Sequence, residues 1–113
     1  MALLSQVCYA QQEHSAIDSY YCLVANIYFE ARGEPFNGKV AVRDVTLNRG
    51  GNVCQTVFAP GQFSWTRKVP KYRIEKALRG EPPSNPAELK AWHRAKKAAS
   101  APRLLHPSYT HFH

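Results

Sequence analysis

Acidic residues are scarce in this chain: eight Asp and Glu stand against fifteen Lys and Arg, giving a formal net charge of +7 and a pI near 9.6. That imbalance favours an anionic partner, and nucleic acid, an acidic lipid surface and an anionic cell envelope all qualify. No apolar run approaches the roughly 18 residues that a membrane span needs, so none is expected. Cysteine is limited to Cys8, Cys22 and Cys54, without the CxxC spacing of a zinc site, and one thiol is left over if any disulfide forms. There is no phosphate-binding glycine loop, internal repeat, low-complexity tract or linker. With 113 residues, the expectation is a single domain with one modest core.

What is present reads mainly as helix. Tyr20, Leu23, Val24, Ile27 and Ala31 recur at three- and four-residue spacing, which predicts a helix from Asp18 or Ser19 to about Ala31, stopped by Gly33 and Pro35. A second helix is expected from near Gly38 to Asn48, capped by Asn37 and largely buried, with Asn48 needing a hydrogen-bond partner. The stretch VCQTVFAPGQFSWTRKVPKYR reads as a long aromatic loop, followed by a short helix over 71–78. SNPAELKAWHRAKKAAS carries the clearest helix signal, with Asn85 as N-cap and Pro86 in the first turn. The tail LLHPSYTHFH predicts a strand or hairpin. At the other end, MALLSQVCYAQQEH lacks the basic region of a secretory signal and reads as an extra helix or a remnant.

Glu30 lies at the rim of the first apolar stripe, where partial desolvation would suit it to donate a proton to a glycosidic oxygen. The same position also suits an ordinary ion pair with Arg32 or Arg43. Glu34 follows Gly33 in a turn and reads as more exposed. His106, His111 and His113 cluster near the end, without a matching ligand set elsewhere, so no metal is expected. Arg67, Lys68, Lys71, Arg73, Lys76 and Arg79, interleaved with Tyr72, form a basic and aromatic patch that suits nucleic acid or an anionic wall polymer.

Four motifs in order, Glu-Ala-Arg-Gly-Glu at 30–34, Ala-Val through Asn-Arg at 41–49, Gln-Phe-Ser-Trp at 62–65 and Thr-His-Phe-His at 110–113, resemble the SleB/CwlJ-type cell wall hydrolase family. The resemblance covers residues 22–113 and departs from the family's pattern at Pro107, Ser108 and Tyr109. It implies an α+β fold, a small, mostly helical, lysozyme- or lytic transglycosylase-like domain with a short β element, behind an N-terminal extension of residues 1–21. The implied activity is peptidoglycan cleavage between N-acetylmuramic acid and N-acetylglucosamine, by a lytic transglycosylase or alternatively a hydrolytic muramidase. Glu30 is then the catalytic acid and base. Glu34, Gln62, Phe63, Ser64, Trp65, Tyr72, Thr110, His111 and Phe112 are the substrate-binding candidates. The resemblance also implies a Cys22–Cys54 disulfide.

On this reading the protein needs no cofactor and meets peptidoglycan glycan strands and the anionic envelope as a monomer, with no nucleic acid. It acts in the periplasm or cell wall, as a phage endolysin or an exported bacterial enzyme. The rivals are a non-catalytic basic module that binds envelope or nucleic acid, and a metal-dependent amidase using the C-terminal histidines.

Overall fold

Every regular element among the described residues is an α-helix. The structure, a computed structural model, describes residues 2–111, with side chains from residue 16 onward. In chain order the helices are α1 (Ala2–Glu30), α2 (Phe36–Asn48), α3 (Val53–Phe58), α4 (Trp65–Lys68), α5 (Lys71–Leu78) and α6 (Pro86–Ala99). The predicted helices over 71–78 and 86–99 form as expected, the latter with Asn85 Oδ1 accepting from the backbone of Ala87 at 2.9 Å and Glu88 at 3.2 Å. The aromatic loop contains two short helices, α3 and α4. α1 runs unbroken across residues 21 and 22.

α1 is the centre of the fold, and α2, α3, α5 and α6 all pack on it. Its stripe buries Val24, Ala25, Ile27 and Ala31 completely against a core that includes Val57, Trp92 and Ala98. Trp92 is 2 % exposed, and truncating a ring packed this way to alanine costs about 3–5 kcal/mol. Cys22 of α1 and Cys54 of α3 are joined by a disulfide, with their Cα atoms 5.3 Å apart. A polar chain crosses the same core: Trp65 Nε1 donates to Asn26 Oδ1 at 2.7 Å, Asn26 Nδ2 to Thr46 Oγ1 at 3.2 Å, and Thr46 Oγ1 to the Val42 carbonyl at 2.8 Å. Burial makes each of these bonds costly to break, so they hold α1, α2 and α4 in one register.

α1 does not stop at a left-handed glycine, because Gly33 has no positive φ. Instead the Lys39 ammonium donates to the carbonyls of Ala31 at 2.6 Å and Arg32 at 3.0 Å, capping the helix from α2. Lys39 is buried, and this burial lowers its pKa; Arg94 and Arg32 push in the same direction, and Glu34 opposes them.

The α+β expectation is overturned: the described residues contain no strand or sheet. The tail from Pro102 to Thr110 finds most of its backbone partners among side chains of α2 and of Arg49 just after it, rather than in a second strand. Asp44 Oδ2 accepts from the amides of Leu104 and Leu105 at 2.6 and 2.9 Å. Arg43 donates to the carbonyls of Ala99 and Pro102, Asn48 to those of His106 and Tyr109, and Arg49 to that of Thr110. Groups that a hairpin would have paired are thus satisfied without one.

Candidate functional site

A groove of about 440 Å³ lies between α5 and α6, floored by the end of α1. A volume of this size suits a small ligand or one segment of a polymer. Helical spacing explains its walls: Tyr72, Arg73 and Lys76 fall on the groove side of α5, while Asn85, Glu88 and Trp92 line it from the first turns of α6. α1 contributes Tyr28 and Phe29.

The floor is aromatic and fixed. The Tyr28 ring meets Trp92 edge to face, with centroids 5.5 Å apart, and Phe29 lies 4.8 Å from Trp65. The Arg73 guanidinium lies over the Phe29 ring, 5.5 Å from its centroid. At the rim, Tyr72 is 70 % exposed, a large ring presented to solvent beside two cations. The Tyr28 hydroxyl donates to Glu88, whose other oxygen takes Arg32 at 2.5 Å. Burial raises the Tyr28 pKa, reinforced by its bond to Glu88 and the charge of that carboxylate, against the pull of Arg32 and Arg73.

The residues expected to form one cleft separate into several places. Glu30, Gln62 and Phe63 meet in a pocket of about 80 Å³ that Arg49 also lines, a space of the order of a few waters. Arg49 organises it, donating to Gln62 Oε1 and to the Thr110 carbonyl while lying 5.3 Å from the Phe63 centroid. Glu34 lies after α1 and lines a different hollow, with Lys39. Trp65 and most of Phe63 are buried core, Ser64 is exposed before α4, and Tyr72 belongs to the α5–α6 groove. His111 is exposed and Phe112 lies outside the described residues.

No family model, curated protein or solved structure matches this chain.

The expected enzyme, a peptidoglycan glycosidase acting as lytic transglycosylase or muramidase, is overturned with the fold that carried it. The described residues build no β wall, and Glu30 is exposed to water rather than enclosed at the rim of the apolar stripe. The labels of hydrolase, endolysin and bacteriolytic enzyme fall with that reading. Neither of the ion pairs considered for Glu30 forms: Arg32 takes Glu88, and Arg43 takes Asp44 at 2.7 Å.

Sequence reasoning missed the groove because its parts come from three helices. Tyr28 and Glu88 are 60 positions apart, and no local periodicity links them. The available signal was the exposed aromatic between cations, Tyr72 beside Arg73, within the basic cluster.

Proposed function

We propose that this chain is a small helical binding module that holds glycan strands of an anionic cell envelope in the α5–α6 groove. The resemblance to SleB/CwlJ-type proteins supports the choice of polymer and of the cell wall or periplasm as its place of action. The single observation that carries the reading is the exposed Tyr72 ring beside Arg73 and Lys76, above a rigid floor of Phe29 and Trp92. An aromatic face stacks on the apolar face of a sugar, while neighbouring polar groups hold its hydroxyl and acyl substituents. The net charge of +7 adds long-range attraction to an anionic surface, which salt screens.

Co-sedimentation with purified sacculi tests this directly. The protein pellets with the sacculi, and Tyr72→Ala and Arg73→Ala each weaken binding about tenfold without loss of helix content. Retention of both variants at wild-type affinity rejects the groove. Mass spectrometry of the supernatant supplies the second criterion, since released glycan fragments would overturn a non-catalytic module. Preferential capture by a DNA oligonucleotide over sacculi would overturn the choice of polymer.

A further inference from the structure

On the other side of the Arg32–Glu88 pair lies a second hollow, of about 350 Å³, which the groove does not include. Arg32 comes from the turn after α1, Lys39 from α2, and Lys90 and Arg94 from α6, with Glu34 as the single acid among them. Three separate segments therefore bring four cations to one concavity. Lys90 and Arg94 are exposed, and among the described residues neither has an ion-pair partner. They stand four positions apart on α6, a spacing at which like charges repel each other. Lys97 extends the same face one turn further. Ala87 and Ala91, both small, line the hollow beside the α6 cations.

We propose that this hollow is an anion site for a phosphate group carried as a monoester or diester. Its recognition chemistry is charge-assisted hydrogen bonding: the Arg94 guanidinium forks onto two phosphate oxygens, Lys90 adds a mobile donor, and Arg32 closes the α1 side. Lys39 is committed to the α1 carbonyls and contributes field rather than direct contact. A carboxylate already inside the hollow, Glu34, opposes an incoming anion. The bound phosphate relieves the repulsion between Lys90 and Arg94, which the free protein leaves uncompensated. The site stands apart from the groove and does not depend on what the groove binds.

NMR titration of the full chain with inorganic phosphate, and in parallel with a short glycerol-phosphate oligomer, tests the site. The expected result is that the largest shifts centre on Arg32, Lys90 and Arg94. The double variant K90A/R94A binds at least tenfold more weakly, while R67A/K68A, which removes the same charge from exposed positions of α4, changes affinity less than twofold. Glu34→Gln binds several-fold more tightly. Similar affinity per phosphate in both ligands identifies a free phosphate compound as the source, and tighter oligomer binding identifies a polymer. Equal losses in the two double variants, shifts centred elsewhere, or no gain in Glu34→Gln would each overturn the site. Tyr72→Ala retains phosphate binding, so failure of the groove and failure of this site read out separately.

Discussion

The Tyr28 hydroxyl donates to Glu88 across 60 positions of sequence, and Arg32 shares the same carboxylate. One carboxylate thereby ties the start of α6 to both the last turn of α1 and the turn that follows it. Glu88→Ala leaves the buried hydroxyl without its acceptor and destabilises the fold by about 1–3 kcal/mol. Glu88→Gln keeps an acceptor and loses less. Urea denaturation of both variants measures the difference, and equal midpoints for Glu88→Ala and wild type would remove the tether from the account.

The raised Tyr28 pKa has a definite pH consequence. Above the ordinary tyrosine value of about 10, the unfolded chain loses this proton before the folded one does, so stability falls as pH rises through the folded value. Ultraviolet titration of the phenolate band shows one tyrosine ionising later than the rest, and Tyr28→Phe removes that late step.

Asp44 works in the opposite direction. Burial raises its pKa, but the amides of Leu105 and Leu104, with the hydrogen bond and charge of Arg43, outweigh this and lower it overall. The folded state therefore binds this proton less readily than the unfolded state. Its stabilisation is present above the unfolded value of about 3.9 and is lost as pH falls through the lower folded value. Asp44→Asn strips the charge from a buried pair and costs about 3–5 kcal/mol, with the steep acid limb of the melting-temperature profile flattened.

The Cys22–Cys54 bridge closes a separation of 32 positions between α1 and α3. Constraint of the unfolded chain over that span is worth about 3–4 kcal/mol in the chain-entropy description. Cys54→Ser lowers the urea midpoint accordingly, and a reductant then has no further effect on the variant. Unchanged stability of the wild type under full reduction, checked by thiol titration, would contradict the bridge's role.

Gly80 and Gly33 make a contrasting pair. Gly80 has φ +76 and approaches the Tyr21 ring so closely that a Cβ would overlap it, whereas Gly33 has open space and no positive φ. Gly80→Ala costs about 1–3 kcal/mol from strain of the backbone, with the ring displacement in addition. Gly33→Ala is neutral or stabilising by up to about 1 kcal/mol. Chemical denaturation of the two variants separates them.

Helices α5 and α6 were legible because their signals are local. Asn85 and Pro86 mark a start, and the spacing of Trp92 and Ala99 marks an inward face. The Glu30 position was misleading for a related reason: a helical wheel gives the angle of a residue on its helix, but not whether another element covers it. At the last turn of α1 the neighbouring side chains leave the Glu30 carboxylate open to water, although it borders a small pocket. The tail alternates like a strand, yet side chains of α2 and Arg49 supply its backbone partners instead.

The sequence by itself determined the basic charge, the helical segments and the odd number of cysteines, because these depend on composition and on residues a few positions apart. Only the tertiary structure decided that Tyr72 and Arg73 border a groove, that Phe63 and Trp65 are buried, and that Arg32, Lys39, Lys90 and Arg94 share a hollow. Those meetings depend on which helix faces cover one another. Packing of whole surfaces settles that choice, and local periodicity does not record it.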